Sequence, residues 1–207
     1  MAIINHILRP FYRWYNPFVI KLLGGKMGGG TSIANKLYYR VPWGARVEIG
    51  KNFTFTSGGC YNTLARNIRG CIFLENRNAQ LLIGDNVGIS SSTLWVAKSI
   101  TIGNYVNIGA DCMILDTDCH SLDWSKRGKR GGKDEQGRSV DHMNTETAPV
   151  VIEDDVMIGA RSIILKGVTI GARSVIGAGS VVTKSIPADC VAGGNPCRVI
   201  RKKENND

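Results

Sequence analysis

The sequence has no apolar stretch long enough to span a bilayer. Its longest run without a charged residue, Asn52 to Ala65, is 14 residues, against the roughly 20 that a transmembrane helix needs. The first residues carry arginines among apolar side chains and no small-residue cleavage site, so we expect no secretory signal. The six cysteines are scattered and none forms a C-x-x-C pair. Reduced thiols and a cytoplasmic location are therefore predicted.

Acidic residues are absent from residues 1–47, although the chain has a net charge of +9. The same segment holds seven basic residues: Arg9, Arg13, Lys21, Lys26, Lys36, Arg40 and Arg46. An excess of basic residues favours binding to a nucleic acid, a membrane surface or an anionic cofactor. No nucleic-acid-binding motif accompanies the charge, so we expect no nucleic-acid partner.

Residues 1–23 mix basic and aromatic side chains and include Pro10 and Pro17, which we expect to divide any helix into short pieces. Two interpretations stay open for this segment. It could cap an exposed end of the fold, or it could lie on an anionic membrane as a peripheral anchor. The glycine-rich run 24–30 that follows is predicted to be a linker.

A strict six-residue period dominates the second half of the chain. Its aliphatic positions are Ile152, Ile158, Ile164, Ile170, Ile176 and Val182. A helix repeats near 3.6 residues and a strand near 2, whereas a period of six is typical of a parallel β-helix. The sequence therefore predicts an all-β solenoid with three six-residue sides to each coil.

Each hexad also predicts which side chains point inward and where the chain turns. Residues two positions before each aliphatic residue should face the interior, because a strand alternates its faces. These positions are Val150, Val156, Ser162, Val168, Ser174 and Ser180. A glycine follows several of the isoleucines, as in Ile158-Gly159, and we expect it at a corner that needs tight turning or positive φ.

The period continues upstream with interruptions. Ile102, Ile108 and Ile114 form a second run, and Ile83 precedes it by 19 residues, which predicts a bulged corner. Ile114 and Ile152 lie 38 residues apart, close to two coils, with a loop replacing part of the wall. The predicted organisation is an N-terminal extension at 1–46, a β-helix at 47–186 with a loop insertion at about 115–149, and a closing segment with a basic tail at 187–207.

The chemistry is predicted where the period fails. Only three histidines occur, at positions 6, 120 and 142. His120 lies beside two carboxylates, Asp116 and Asp118, at the start of the polar segment 121–148. Loops of this length in compact domains are often functional, so we expect this one to be exposed and to shape a substrate site.

Residues from about 80 to 203 resemble the hexapeptide-repeat O-acetyltransferases, which include the maltose, galactoside and capsule or exopolysaccharide enzymes. The resemblance rests on Ile158-Gly159-Ala160, on Gly177 to Lys184 and on Gly193-Gly194-Asn195-Pro196-Cys197-Arg198. It implies a left-handed coil, a homotrimer, and acetyl-CoA in the groove between neighbouring prisms. It also implies acetyl transfer to a hydroxyl of a sugar or polysaccharide precursor, with no metal.

The resemblance assigns roles to individual residues. His120 matches the catalytic general base, oriented by Asp118 or, almost equally well, by Asp116. The positions that match CoA contacts are Ala160, Ala178, Thr183, Lys184, Arg198 and Arg201, where Ala160 would offer a backbone N–H to the oxyanion and the arginines would meet phosphates. Ser90 and Ser91 fall in the region that roughly matches the acceptor contacts.

Three other functions fit the same fold. An acetyltransferase that modifies an antibiotic hydroxyl would also carry an enlarged loop, and a non-catalytic scaffold or anchoring module could retain the solenoid alone. A zinc-dependent carbonic anhydrase would need three histidine ligands, and only His120 lies on a predicted coil. The sequence therefore favours the acetyltransferase that acts on a sugar or glycan.

Overall fold

The computed structural model describes residues 2–58, 64, 68–127, 132–133, 141 and 145–202, without the side chains of residues 2–7 and 9. His142 and the side chain of His6, both considered above, lie outside this description, as do Cys60 and Lys203. Within it the chain forms one helix, α1 (Ala2–Leu22), and twenty strands in three sheets.

Each sheet is built from every third strand. The first sheet orders β1 (Lys26–Met27), β4 (Arg46–Ile49), β7 (Gln80–Ile83), β10 (Ser99–Ile102), β13 (Val150–Ile152) and β16 (Thr169–Ile170). The second orders β2 (Ser32–Ala34), β5 (Thr54–Thr56), β8 (Gly88–Ser90), β11 (Asn107–Ile108), β14 (Met157–Ile158), β17 (Val175–Ile176), β19 (Cys190–Gly193) and β20 (Arg198–Lys202). The third orders β3 (Tyr38–Arg40), β6 (Cys71–Leu74), β9 (Thr93–Val96), β12 (Met113–Leu115), β15 (Ile163–Ile164) and β18 (Val181–Val182).

The chain visits the three sheets in rotation, so that each turn of the coil adds one strand to every sheet. All pairs are parallel except the terminal β19–β20 pair. Ile152 pairs with Ile170, and Ile158 pairs with Ile176, which is the register that a six-residue period with three sides predicts.

The inward positions predicted from the period are buried. The aliphatic row from Ile152 to Val182 and the row two residues before it are each at most 1% exposed. Three members of the second row are serines whose hydroxyls bond to backbone at the corners. Ser162 Oγ donates to Gly159 O at 2.8 Å, and Ser174 Oγ donates to Pro187 O at 2.8 Å. These bonds satisfy polar groups that would otherwise be costly to bury.

The glycines that follow Ile158 and Ile170 have a different role from the one expected. Gly159 does not have positive φ, but an added Cβ there would collide with the backbone of Ala178 in the next coil. Positive φ falls instead on the residue three positions after the aliphatic one: Asp155, Arg161, Gly167, Arg173 and Gly179. The glycines therefore permit close stacking of the coils, and the turn itself is made by aspartate, arginine or glycine.

The two irregular spacings have different origins. Ile83 pairs with Ile102, so the 19-residue spacing adds one residue to a coil, as predicted. The 38-residue spacing does not contain two coils, because Ile102 pairs directly with Ile152. The inserted segment replaces only the corner between β12 and β13, and the wall continues without a missing coil.

The N-terminal region also differs from the prediction. The helix α1 runs through both Pro10 and Pro17 without a break, because its inner side is held on the first coil by Asn16 and Ile20. The Asn16 side chain donates to Ile33 O and to Asn35 O at 3.2 and 2.8 Å. The coil begins at β1, inside the glycine-rich run 24–30. Gly28 lies against the backbone of Gly50 in the next coil, so this run is part of the wall and not a linker.

Candidate active site

His120 lies where the chain leaves the coil after β12. Its side chain is 63% exposed, and its Nδ1 lies 2.6 Å from Oδ2 of Asp141, which is 17% exposed. The backbone leaves β12 through a left-handed turn at Cys119, whose φ is 61°. This turn directs the imidazole toward the inserted loop.

Asp141 is held in place from several sides. Its Oδ1 accepts the Ser121 backbone N–H at 3.0 Å, and its carbonyl accepts the Thr145 hydroxyl at 3.1 Å. One carboxylate oxygen is thereby fixed while the other faces His120. A carboxylate bonded to Nδ1 favours the tautomer whose Nε2 is free to accept a proton.

The ends of the inserted loop are joined by a short antiparallel bridge. Thr117 pairs with Thr147, the Asp118 N–H donates to Glu146 O at 3.1 Å, and the Ala148 N–H donates to Asp116 O at 3.0 Å. The loop therefore leaves and re-enters the coil at one point. This pairing carries Asp141 back toward His120.

The two aspartates predicted to orient His120 have other partners. Asp118 lies 3.4 Å from Lys166 Nζ, which also bonds to Glu146 at 3.1 Å. Asp116 is fully buried, and its carboxylate accepts the N–H groups of Ala97 and Lys98 at 2.6 and 2.7 Å. Burial raises the pKa of Asp116, against the lowering effect of these N–H donors. The prediction of Asp118 is therefore corrected to Asp141, which belongs to the loop and carries no local sequence signal.

The thiol next to His120 does not have the environment of a nucleophile. Burial raises the pKa of Cys119, and the negative charges of Glu75, Asp118 and Asp116 raise it further. A reactive cysteine needs a lowered pKa and nearby positive charge. The arrangement therefore fits proton transfer by His120 better than an acyl-cysteine.

A groove of about 400 Å³ runs over the outer face of the second sheet. Its floor includes Gly88, Ser90 and Gly159, and Ala160 and Met157 line it as well. Of the two serines predicted to contact the acceptor, only Ser90 lines this groove.

Ser91 is fully buried, which contradicts its predicted role. Its Oγ accepts the Gly58 N–H at 3.0 Å and lies 3.3 Å from Thr56 O. Its φ is 39°, so this serine turns the chain between the second and third sheets. It is not available to a substrate.

Residues predicted to contact CoA follow two different edges of the coil. Ala160 and Ala178 lie one above the other at the corner between the second and third sheets, where the Gly179 N–H donates to Ala160 O at 2.8 Å. Arg198 pairs with Gly193 at the C-terminal end of the same edge. Thr183 and Lys184 are exposed after β18, at the corner between the third and first sheets. Arg201 on β20 is also exposed, and it pairs with Val191 on β19.

One chain alone does not bring His120 to the corner that carries Ala160 and Ala178, although Thr183 and Lys184 share the edge of the third sheet at which His120 lies. His120 follows β12 at the far edge of the third sheet, whereas Ala160 precedes β15 at the near edge of that sheet. The whole third sheet separates the histidine from the corner that carries Ala160 and Ala178. In the described ranges, His, Cys, Asp and Glu side chains form no group of three that could hold a metal.

Comparison with known proteins gives a consistent result. Residues 149–184 match the family model described as the hexapeptide repeat of succinyl-transferase. The galactoside O-acetyltransferase of Lactococcus lactis subsp. lactis is 44% identical over 117 residues, which are 56% of this chain and 49% of that protein. Residues 149–184 are thus hexapeptide repeats, and the chain is similar to a named acetyltransferase over about half of its length.

Solved structures of acyltransferases share the fold. A hexapeptide-repeat acetyltransferase from Vibrio cholerae O1 biovar eltor, complexed with acetyl coenzyme A, is 26% identical with a TM-score of 0.52, over 90% of this chain and 74% of that one. The N-acyltransferase AntD from Bacillus cereus has a TM-score of 0.68 at 20% identity, over 91% of this chain and 89% of that one, and shows likeness of fold alone. The chain spans half or less of the length of the curated relatives it matches.

The matched segment, residues 149–184, contains some of the predicted site residues and not others. It covers Ala160, Ala178, Thr183 and Lys184, which lie inside residues 149–184. His120 and Asp141 lie before it, and Arg198 and Arg201 lie after it. The match assigns no role to any of these residues, so their roles must be argued from geometry and chemistry.

Proposed function

We propose that this protein transfers an acetyl group from acetyl-CoA to a hydroxyl of a sugar or polysaccharide precursor in the cytoplasm. The observation that carries the proposal is the contact of 2.6 Å between His120 Nδ1 and Asp141 Oδ2, in a chain whose residues 149–184 match the hexapeptide-repeat model. An exposed imidazole oriented by a fixed carboxylate is the arrangement that a general base requires.

In the proposed mechanism, His120 acts first as a base and then as an acid. Asp141 accepts a hydrogen bond from the Nδ1–H group, so Nε2 takes the proton of the acceptor hydroxyl while the hydroxyl oxygen forms a bond to the carbonyl carbon. The carbon–sulfur bond then breaks, and the imidazolium returns the proton to the departing sulfur. Acetyl-CoA supplies the activated acyl group, and the negative charge of Asp141 stabilises the imidazolium between the two steps.

The corner that carries Ala160 and Ala178 is suited to the acyl donor. In the part of the chain that the structure describes, the N–H groups of both alanines make no hydrogen bond. The Ala160 N–H would donate to the oxyanion, and Ala178, Thr183 and Lys184 would lie along the amide-rich arm of the donor. Arg198 and Arg201 would meet its phosphates.

We propose that the coil is left-handed and that three copies assemble, as the resemblance to the family implies. The separation of His120 from Ala160 by the third sheet supports this, because a second copy can bring its corner to the histidine of the first. Each active site would then take its base from one subunit and its donor corner from the next.

The acceptor would be a sugar or glycan hydroxyl, and Ser90 in the groove of the second sheet is placed to contact it. Oxygen transfer is preferred over nitrogen transfer because the relative with 44% identity over 117 residues is a galactoside O-acetyltransferase. The exposed Trp124, close to His120 in sequence, supports a loop that borders the acceptor.

The proposal is tested with His120→Ala. Purified protein is mixed with acetyl-CoA and a panel of sugars, nucleotide sugars, glycans and antibiotic hydroxyl compounds, and release of free CoA thiol is followed. We expect the wild type to acetylate a sugar or glycan, and the variant to lose at least about 100-fold in kcat.

The variant should keep the oligomeric state of the wild type in light scattering and bind CoA in calorimetry, because the side chain is exposed. Turnover of His120→Ala at the wild-type rate would rule out the base. Failure of the wild type to bind CoA would instead support a non-catalytic scaffold, and turnover restricted to antibiotics would support the xenobiotic enzyme.

A further inference from the structure

The helix α1 has an apolar face that points away from the coil. Its inner side holds the buried Asn16 and Ile20. At 100° per residue, six large exposed side chains fall on the opposite face: Leu8, Phe11, Trp14, Tyr15, Phe18 and Leu22, between 37% and 66% exposed. A surface helix normally places polar residues on this side, so the reversed pattern needs an explanation outside the coil.

The aromatic members of this face form ordered pairs. Trp14 and Phe18 stack with ring centroids 5.2 Å apart and an interplanar angle of 10°, and Phe11 and Tyr15 stack at 5.3 Å and 18°. Contiguous exposed apolar surface of this kind marks a docking site on a soluble protein. Aromatic rings are favoured where one side of a contact is apolar and the other is wet.

The charge around this face identifies the partner as an anionic surface. Lys21 lies at the border of this face, and Arg13 lies on the side of the helix nearer the coil. Both line a cleft of about 400 Å³ between α1 and the first coil, together with Trp14 and Phe18. Residues 1–47 carry seven basic residues and no acidic one. Basic residues flanking an aromatic and aliphatic face are the features of a helix that lies in the interface of an anionic membrane.

We infer that the outward face of α1 docks this protein on an anionic lipid bilayer, with its aromatic side chains among the acyl chains and Arg13 and Lys21 against lipid phosphates. No helix of the described residues is long and apolar enough to cross a membrane. The helix therefore lies on the surface, and the coil projects from it. This inference does not depend on acetyl transfer, since membrane binding is measured without a substrate.

The test is sedimentation of the full chain with vesicles. Neutral vesicles contain phosphatidylcholine alone, and anionic vesicles contain about one-third phosphatidylglycerol. Each Lys or Arg near an anionic surface favours binding by roughly fivefold, so Arg13→Gln/Lys21→Gln should lower the partition coefficient about 25-fold. Wild type should sediment with anionic vesicles much more than with neutral ones, and less at about 0.5 M salt.

A second variant tests the apolar face. Trp14→Glu/Phe18→Glu places charges at positions that are 62% and 49% exposed, so folding should be retained, as checked by circular dichroism. We expect the bound fraction to fall to that measured without vesicles. The matched control Trp124→Glu changes a tryptophan that is 81% exposed on the inserted loop and should bind vesicles like the wild type.

Three results would overturn the inference. The first is that the wild type remains in the supernatant with anionic vesicles. The second is that the Trp14→Glu/Phe18→Glu protein sediments as the wild type does. Equal binding to neutral and anionic vesicles would remove the role of charge. If the wild type does not bind vesicles and the same double variant changes the oligomeric state, the outward face of α1 contacts another copy of this chain instead of lipid.

Discussion

His120 Nδ1 lies 2.6 Å from Asp141 Oδ2, although Asp118 is only two residues from the histidine in sequence. The nearer aspartate turns away to Lys166. The pairing of the loop ends at Thr117 and Thr147 makes the more distant partner available. The orientation of the imidazole therefore depends on the inserted loop as much as on the coil.

Replacing Asp141 by asparagine should lower kcat by at least about 100-fold with little change in KM for acetyl-CoA. An amide at this position removes the charge that stabilises the imidazolium and can favour the wrong tautomer. Steady-state kinetics with the acceptor found for the wild type measure the effect.

Asp118→Asn is the matched control for Asp141→Asn. The variant loses the ion pair between Asp118 and Lys166. Lys166 keeps its ion pair with Glu146, at 3.1 Å, which partly compensates for this loss. We expect kcat to stay within about threefold of the wild type, since an isolated ion pair near the surface contributes little. If Asp118→Asn were the more damaging of the two changes, the original sequence prediction would be correct and the assignment to Asp141 wrong.

The period of six was sufficient to predict the coil because inward and outward positions are determined locally. Each hexad specifies one buried aliphatic residue, and stacking repeats the same contact in the next coil. Even the buried Ser162 could be placed from its offset. His120 was predicted as a site residue for the related reason that an interruption of a regular wall is visible in sequence.

The partner of His120 could not be found in this way. Asp141 reaches the histidine only after a long loop closes on itself, and no spacing rule connects the two positions. The prediction that Pro10 and Pro17 divide α1 was wrong for a different reason. The cost of a proline inside a helix is a local effect, whereas the packing of Asn16 and Ile20 on the first coil is a tertiary contact that the local rule does not include. Ser91 looked like its neighbour Ser90 in sequence, and only the left-handed backbone at Ser91 buries it.

Mixing two inactive variants tests whether the site is shared between subunits. His120→Ala lacks the base, and Ala178→Phe, at an exposed position, should block the donor corner. In randomly mixed trimers, about a quarter of the sites would combine an intact histidine with an intact corner from the next subunit. Turnover in co-expressed protein should therefore return to about that fraction of the wild type.

Co-expression of His120→Ala with Asp141→Asn provides the control for this mixing experiment. Both changes affect the same half of the site, so no combination of subunits restores it. Absence of activity in the first mixture, with trimers present, would mean that one subunit holds the complete site.

The double variant Arg198→Gln/Arg201→Gln should raise KM for acetyl-CoA by about tenfold or more, because two charge-assisted contacts to phosphate are lost. Turnover of S-acetylpantetheine, which has no phosphate, should not change. Arg173→Gln is the control, since this arginine lies on another edge and already pairs with Asp189 at 2.6 Å. Equal losses with both donors would show that the two arginines support the fold and do not recognise phosphate.

Tyr105→Asn should stabilise the protein. Tyr105 has φ of 57° and is 59% exposed, so a bulky residue occupies a left-handed position while burying little of its ring. The equivalent positions of the neighbouring coils hold Asn86 and Asp155, with φ of 58° and 59°, and asparagine and aspartate tolerate this conformation better. We expect the free energy of unfolding to rise by about 0.5–1 kcal/mol, seen as a rise of about 1–4 °C in the midpoint of thermal unfolding.

Tyr105→Phe is the control, because it keeps the bulk of the ring and should leave the midpoint unchanged. A lower midpoint for Tyr105→Asn would mean that the ring makes stabilising contacts that outweigh the backbone strain.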